Sequence, residues 1–383
     1  MKILLVTTSA TLPFALTTAL NPKNDYCAFV VDEVNTAKDF AKKSGLPENL
    51  VYPLYELKNL IDEFYFDALI SISDFYTGYD DLANYAQRCG CPQNKFIHLH
   101  TLNAPGNFLI ERALRYYEKH SDEFEIFATG NSHACMGLDA NQFKYKLFNF
   151  SHSAQDLYYN YQIAKRVLTP KTGGGSRIRY ALIELNPYTF HADQSLYYSE
   201  NFRLLHYVVA FKDLHNFWLP LEKYKNLFNE NFLSLKLPLK DFDINNIMLE
   251  KTPLRFMNFK SRLGARERTE VYSRKYYPKT REEYLKIFDA YLELCKKNNV
   301  RPIIFLTPVS ECYSKYFSKK LLNEFNYDVS EALKKYPDAV FINGWKLKGF
   351  DDSDFYDVDH LNIKGAAKFS TILNGVIEQI ENS

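Results

Sequence analysis

The sequence predicts an α/β protein with two domains. Three observations lead to this prediction: the chain has 383 residues, short apolar runs alternate with helical patterns, and a second such series follows the first. Domains commonly contain ~100–200 residues, so this length accommodates two hydrophobic cores. Alternating strand and helix patterns are typical of parallel sheets with crossover helices. We expect a Rossmann-like domain over residues 1–105, a bridging helix over 106–123 and a second α/β domain over 124–383.

The first domain is predicted to contain four strands, Lys2–Val6, Ala28–Val31, Asp67–Ile72 and Phe96–Leu99, and helices near Pro13–Leu20, Thr36–Ser44, Leu54–Phe64 and Tyr79–Cys89. The loop Thr7–Pro13 lacks the glycines that let a backbone approach a dinucleotide pyrophosphate. Asp32 follows the second strand, where an acid would bind a ribose. Without the glycine loop the sequence argues against NAD, and a scaffold or partner surface is the favoured role.

The second domain is predicted to contain five strands, Phe124–Ala128, Lys146–Phe150, Tyr180–Leu185, Pro302–Thr307 and Ala339–Asn343, and helices near Ser132–Leu138, Leu157–Val167, Arg281–Lys297, Lys319–Tyr336 and Ile363–Glu381. The glycine-rich stretch 172–176 lacks the Lys-Ser/Thr of a phosphate loop and predicts a connector. Residues 187–280 are aromatic and lysine-rich without a clean period. We interpret them as an insertion that covers the active-site side of the sheet.

Composition excludes several classes of protein. Hydrophobic residues make up 46% and charged residues 24%, which is ordinary for a folded globular chain. The formal net charge of +1 gives no reason to expect nucleic acid as a partner. Six scattered cysteines predict reduced thiols. Polar residues from Thr7 onward interrupt the first apolar run, so we expect a strand there and no secretory signal. No apolar run reaches ~20 residues, so no membrane span and a cytoplasmic location are expected.

Two clusters contain residue types that bind ligands. Cys89-Gly90-Cys91 with His98 and His100 suggests zinc, but the spacing is not that of a paired zinc motif, and we predict no metal site. The basic stretch Lys260–Lys275 contains interleaved glutamates and predicts a solvated helix. Its arginines would also suit the phosphates of a nucleotide-sugar, CoA or a phosphorylated glycan, because guanidinium groups bind phosphate in a bidentate manner.

The residues with the clearest chemical potential lie at strand ends. Gly130-Asn131-Ser132-His133 follows a strand and precedes a helix, where a serine is either a nucleophile or an ordinary helix cap. Asp357-Val358-Asp359-His360 precedes the last helix. A serine nucleophile needs a base, and the base needs an orienting carboxylate. We therefore predict a catalytic triad of Ser132, His360 and Asp357. Asp359 is the less favoured orienter, and a merely solvated acidic loop is the alternative.

These two stretches, in this order, resemble the first and last sequence blocks of the SGNH (GDSL-like) hydrolase superfamily. The resemblance covers residues from about 124 to the C-terminus. It implies a flavodoxin-like, three-layer α/β/α domain and a serine acyl-enzyme mechanism. Asn149-Phe150-Ser151-His152-Ser153-Ala154 resembles the second block, with Ala154 in place of the oxyanion-hole glycine. The third block is represented only by Asn186, whose amide would be the side-chain oxyanion donor.

The resemblance also implies a function. Its motifs are most similar to those of the branch that modifies bacterial surface polysaccharides, which includes esterases and O-acyltransferases. Substrate contacts are expected from His133, Ser153 and Asn362, although His133 would equally fill the first helical turn. No cofactor is required, and acyl-CoA or another compound would serve as acyl donor for transfer to a carbohydrate or glycoconjugate. The alternatives are a non-catalytic binding or scaffold protein of a polysaccharide pathway and a nucleotide-sugar-dependent transferase. The oligomeric state stays open.

Overall fold

A computed structural model describes residues 1–73, 79–100, 109–169, 177–197, 201–233 and 259–383. The chain is divided into two compact units. The first unit comprises Met1–Glu111 and Gln194–Pro238, and the second comprises Arg112–Asp193 and Leu239–Ser383. The predicted connector at 172–176 lies outside the described residues. The boundary between the units falls within the helix that was predicted to bridge them, which spans Leu109–Lys119.

Parallel strands and helices alternate in both units, as the sequence predicts. The strands are β1 Lys2–Thr7, β2 Asp25–Val31, β3 Val51–Pro53, β4 Ala68–Ser73, β5 Phe96–His100, β6 Ile126–Thr129, β7 Leu147–Asn149, β8 Tyr180–Glu184, β9 Arg301–Leu306 and β10 Val340–Asn343. The α-helices are α1 Leu12–Phe14, α2 Val34–Lys43, α3 Leu57–Glu63, α4 Tyr79–Arg88, α5 Leu109–Lys119, α6 Ser132–Gly137, α7 Leu157–Leu168, α8 Leu204–Phe211, α9 Leu221–Leu227, α10 Glu230–Leu233, α11 Phe259–Ser273, α12 Pro278–Lys297, α13 Glu311–Tyr316, α14 Lys319–Lys335 and α15 Ile363–Glu381.

The first unit is built on a parallel five-stranded sheet in the order β3-β2-β1-β4-β5. All six residues of β4 are buried, as expected for a parallel strand covered on both faces. The sequence prediction lacked β3, because three residues are too few to show a period. Asp32 closes the loop after β1: its Oδ1 accepts the N–H groups of Ser9 at 2.7 Å and Glu33 at 2.8 Å.

The second unit is built on a parallel five-stranded sheet in the order β10-β9-β8-β6-β7. The central strands β6 and β8 are completely buried. Connections leave β6 toward opposite sides of the sheet, since β7 pairs with one edge of β6 and β8 with the other. Open parallel sheets bind ligands outside the carboxyl ends of their strands at such a switch point. The carboxyl end of β6 is therefore the expected position of a ligand site.

The predicted covering segment, residues 187–280, requires a correction. Residues 194–238 belong to the first unit, where Asn201 satisfies the edge strand β5: it accepts the His98 N–H at 2.8 Å and donates to the Phe96 carbonyl at 3.0 Å. Trp218 Nε1 donates to the same carbonyl at 3.2 Å. An edge strand presents unpaired backbone groups that need such partners. In the second unit, the described part of the covering segment is formed mainly by α11.

Three further properties follow from the described residues. All six cysteines are free thiols. Cys89, Cys91 and His98 do not come together as a group with metal-binding distances, whereas the His100 side chain lies outside the described set. Within the described part of the chain, no helix combines the length and the apolar character needed to cross a bilayer.

Candidate active site

Ser132 is the first residue of α6 and lies directly beyond the carboxyl end of β6. The helix cap is Asn131, whose Oδ1 accepts the His133 N–H at 2.8 Å. Because Asn131 caps α6, the hydroxyl of Ser132 is not needed to satisfy the helix N-terminus, which removes the helix-cap interpretation of this serine. The serine side chain is instead available for chemistry at the switch point of the sheet.

The three residues predicted as a triad lie together. Ser132 Oγ is 2.8 Å from His360 Nε2, and His360 Nδ1 is 3.0 Å from Asp357 Oδ1 and 3.1 Å from Oδ2. Each distance is that of a hydrogen bond. With Nδ1–H donating to the carboxylate, Nε2 carries the lone pair that faces the serine hydroxyl. This arrangement has the connectivity of a nucleophile, a base and an orienting carboxylate.

The loop before α15 explains the three-residue spacing between Asp357 and His360. Asp357 Oδ1 also accepts the backbone N–H groups of Asp359 at 3.1 Å and of His360 at 2.8 Å, which forms a tight Asx turn. The His360 carbonyl in turn accepts the Tyr356 N–H at 2.9 Å. A single carboxylate therefore folds the loop and orients the imidazole.

Charge interactions in the site favour an ionised Asp357. Burial raises the pKa of Asp357, but the charge and hydrogen bond of His360, together with Arg268, lower it more, so the net pKa lies well below its usual range. Burial lowers the pKa of His360, yet the carboxylates of Asp359 and Asp357 raise it above its usual value. The pair thus has the polarity that stabilises an imidazolium when the base takes a proton.

A second carboxylate, Asp359, lies beside the triad. It is 1% exposed, and its Oδ1 is 3.5 Å from His360 Nδ1 and 2.8 Å from Arg268 Nε. Neither of its oxygens receives a well-aligned hydrogen bond from a described residue. Burial raises its pKa to about 6, although the charges of His360 and Arg268 oppose the rise. Asp359 was the less favoured orienter in an extended loop, where alternate side chains point apart, but the Asx turn at Asp357 brings it inward.

Glu184, at the end of β8, contacts the loop that precedes Ser132, residues 130–131, which is called the nucleophile loop below. Glu184 is fully buried and its Oε2 accepts the Asn131 N–H at 2.9 Å. Burial raises its pKa to about 7, while Asn131, His360 and Asn186 lower it. Gly130 makes this approach possible: a Cβ there would lie 2.5 Å from Glu184 Cβ and 2.8 Å from Ala134 Cβ. Sequence reasoning missed Glu184, although an acid in an otherwise apolar buried strand is a recognisable signal.

The predicted oxyanion-hole residues lie at the same edge of the sheet. Ala154 has a φ of 57°, the left-handed conformation that glycine adopts most easily. Its turn is tied to the nucleophile loop, since the His152 N–H donates to the Gly130 carbonyl at 3.2 Å. Among the described residues, the N–H groups of Ser132 and Ala154 have no acceptor. Asn186 is 3% exposed, and its Oδ1 accepts the Tyr188 N–H at 3.2 Å.

The three predicted substrate contacts have different positions. His133 is buried behind the triad, where its Nδ1 lies 3.2 Å from Thr307 Oγ1 and its ring centroid 4.8 Å from that of His360. Burial and the charges of His360 and Arg268 lower its pKa well below its usual value. Asn362 caps α15 and donates to the carbonyls of Ser353 and Phe355, so its amide is used within the fold. Ser153 is half-buried in the Ala154 turn.

The site also contains a geometric candidate for cation binding. Ligand atoms of His133, Asp359 and His360 lie within 4.8 Å of one another. However, the Arg268 guanidinium is 2.8 Å from Asp359 Oδ1, and His360 uses both ring nitrogens for Ser132 and Asp357. A fixed positive charge and two engaged nitrogens do not fit a divalent ion. The arrangement suits proton transfer.

Comparisons with known proteins do not assign this chain to a family. No protein-family model matches it, and no curated protein sequence is significantly similar to it. The geometry of the site is therefore the main indication of what the protein does.

Proposed function

We propose that this protein is a serine-dependent esterase or O-acyltransferase that acts on a carbohydrate or glycoconjugate. The observation that carries the proposal is the continuous hydrogen-bonded series from Ser132 Oγ through His360 to Asp357. A helix cap or a solvated acidic loop would not require a histidine between the serine and the carboxylate. The series lies at the carboxyl edge of a parallel sheet, where α/β proteins place their ligands.

The sheet topology supports a flavodoxin-like arrangement for the second unit. Numbered within that unit, its strand order is 2-1-3-4-5, the order of flavodoxin-like doubly wound sheets. The order 3-2-1-4-5 in the first unit is that of a Rossmann-like half. The order in the second unit agrees with the resemblance to SGNH hydrolases that the sequence blocks around Ser132 and His360 suggest, whereas that resemblance does not extend to the first unit. Fold alone does not define a substrate.

The mechanism follows from the positions of the protons. His360 Nε2 takes the proton of Ser132 Oγ while the serine oxygen bonds to the carbonyl carbon of an ester or thioester. Collapse of the tetrahedral intermediate breaks the bond to the leaving oxygen or sulfur, which receives the proton from His360. In the second half-reaction His360 removes a proton from water or from a sugar hydroxyl, whose oxygen attacks the acyl carbonyl carbon. The bond from that carbon to Ser132 Oγ then breaks, and His360 returns the proton to Ser132 Oγ.

The oxyanion would be stabilised by backbone donors. The proposed main donors are the N–H groups of Ser132 and Ala154, which have no acceptor in the part of the chain that the structure describes, and the Asn186 amide is the third. Loss of one such donor typically reduces kcat by about 10²–10³. The left-handed backbone of Ala154 supports this role, because strained conformations outside glycine are often retained where a group must be aimed at a reacting atom.

The substrate class rests on the resemblance to proteins that modify bacterial surface polysaccharides. Water as the acceptor would make the protein an esterase, whereas a sugar hydroxyl would make it an acyltransferase that uses acyl-CoA or another acyl donor. A non-catalytic binding protein and a nucleotide-sugar-dependent transferase are the alternative hypotheses. Neither accounts for the alignment of Ser132, His360 and Asp357.

A fluorophosphonate probe tests the proposal, because it reacts with serines activated by a neighbouring base. We expect the wild type to be labelled, Ser132→Ala to be unlabelled, and His360→Ala to be labelled at least about 10²-fold more slowly, since general-base catalysis contributes typically 10²–10⁴-fold. Ser330→Ala is the matched control, because this serine is exposed on α14 and its hydroxyl donates to the Tyr327 carbonyl of the same helix. Equal labelling of the wild type and Ser132→Ala would refute the nucleophile, and labelling of no form would favour a binding protein.

A further inference from the structure

One helix places a cation beside the candidate triad. The helix is α11, which is anchored in the second unit by the fully buried side chains of Ala265 and Thr269. Its C-terminal residue, Ser273, accepts the Ser318 N–H at 3.0 Å and so ties α11 to the start of α14. Arg268 also belongs to α11 and directly precedes the buried Thr269, so the helix carries its side chain at a fixed position.

Arg268 contacts Asp357, Asp359 and His360. Its Nε lies 2.8 Å from Asp359 Oδ1, and one terminal nitrogen lies 3.5 Å from Asp357 Oδ2. The other terminal nitrogen is 3.3 Å from His360 Nδ1. That last contact is not a hydrogen bond when Nδ1 carries the proton that it donates to Asp357, because two donors then face each other. It is a close approach of a permanent positive charge to the base.

We infer that Arg268 is a positioning residue of the candidate triad, whose guanidinium partly offsets the carboxylates of Asp357 and Asp359 and so favours the neutral form of His360 that accepts the Ser132 proton. This inference rests on the proposed function and deepens it. A base with one orienting carboxylate needs no added cation. A base with two adjacent carboxylates, one of them almost completely buried, would hold its proton too tightly to act as a base near neutral pH.

The groups that face His360 come from four elements, and their charges determine the sign of each expected change. They are Asp357 and Asp359 on its own loop, Ser132 and His133 on α6, Arg268 on α11 and Glu184 on β8. Both aspartates raise the pKa of His360, and Arg268 lowers it. His133 is buried and neutral, so it adds no charge at neutral pH. Removal of the Arg268 charge therefore favours the imidazolium.

The pH dependence of probe labelling tests this inference. The labelling rate follows the fraction of His360 that is neutral, so its acid limb reports the pKa of the base. We expect Arg268→Gln to move the midpoint upward by about one pH unit or more, because a nearby charge typically shifts a pKa by ~1–3 units. At one pH unit below the wild-type midpoint, Arg268→Gln would then be labelled about tenfold more slowly than the wild type at the same pH. Asp359→Asn should move the midpoint downward, and the double variant should lie between the two.

Two control variants separate a charge effect from a structural one. Arg268→Lys keeps the charge and should retain a midpoint close to that of the wild type. Arg266→Gln changes an exposed arginine on the same helix, which pairs with Glu270, and should leave the profile unchanged. A lower maximal rate in Arg268→Gln with an unchanged midpoint would overturn the inference, because it would indicate a structural role only.

A measurement without catalysis distinguishes failure of this inference from failure of the proposed function. Nuclear magnetic resonance titration of the His360 imidazole in the Ser132→Ala background, with and without Arg268→Gln, reports the same pKa directly. An upward shift on removal of Arg268 supports the inference even if no form reacts with the probe. An unchanged imidazole titration would refute it even if labelling of Ser132 succeeds.

Discussion

Replacement of Glu184 by glutamine should stabilise the protein at alkaline pH. Glu184 is fully buried beneath the nucleophile loop, and its pKa is raised from 4.5 to about 7 by burial. Below pH 4.5 the side chain is protonated in both the folded and the unfolded chain, so its ionisation does not lower the free energy of unfolding. Between pH 4.5 and about 7 the folded state binds more protons than the unfolded state, so the free energy of unfolding falls as the pH rises.

The size of the expected stabilisation follows from the raised pKa of Glu184. A pKa difference of about 2.5 units corresponds to about 3 kcal/mol once both states have titrated. Glutamine keeps an oxygen that accepts the Asn131 N–H but carries no charge. We therefore expect Glu184→Gln to be more stable than the wild type by about 3 kcal/mol at pH 8 and by no more than about 1 kcal/mol at pH 5. In thermal unfolding the gain at pH 8 corresponds to a rise in Tm of ~6–12 °C for a unit of this size.

Urea denaturation at pH 5 and pH 8 measures this difference. Glu282→Gln is the matched control, because Glu282 is exposed on α12, pairs with Lys286, and has a pKa that is lowered by that hydrogen bond. It should produce a small change with no gain at pH 8. If Glu184→Gln were less stable than the wild type at pH 8, or if its gain were the same at both pH values, the buried carboxylate would not have the ionisation assigned to it.

Two other substitutions test how the fold supports the site. Gly130→Ala should lower kcat/KM for a small ester by about 10²-fold, because its Cβ would lie 2.5 Å from Glu184 Cβ and displace the loop that precedes Ser132. The same substitution should destabilise the protein by ~1–3 kcal/mol. Gly375→Ala is the control and should keep full activity, because its Cβ would have no atom within 4 Å. Asn362→Ala should lower the free energy of unfolding by ~1–2 kcal/mol through loss of the α15 cap, with KM unchanged. A raised KM at unchanged stability would instead indicate contact with substrate, and an active, stable Gly130→Ala would show that the loop tolerates the added methyl group.

The sequence was sufficient to predict the parts of the structure that depend on local patterns. The final helix, Ile363–Glu381, has the predicted bounds, because its apolar period is long and its cap, Asn362, precedes it directly. The contact between Asp357 and His360 was also predictable, since an aspartate in a tight turn can bond a residue three positions later. Their meeting with Ser132 depended on strand-end context and chain order, which parallel sheets make informative.

The parts that were not predicted depend on contacts between distant residues. Arg268 lies 92 residues before His360, and from the sequence it was one of several arginines in a stretch interpreted as a solvated helix. Residues 194–238 belong to the first unit, where Asn201 and Trp218 bond the backbone of β5 at separations of 103 and 122 residues along the chain. Single polar residues at such separations leave no periodic signal. The partner of Glu184, the Asn131 N–H, is likewise distant in sequence, so nothing local to this strand indicates what its carboxylate binds.

The central claim is that Ser132 forms a covalent acyl-enzyme, and trapping of that intermediate tests it most directly. The protein would be mixed with an activated acetyl ester, quenched in acid and digested, and the Ser132 peptide would be examined by mass spectrometry. We expect one acetyl group on Ser132 in the wild type and none on the corresponding peptide of Ser132→Ala. Acetylation on a different residue, with an unmodified Ser132 during active turnover, would contradict the account.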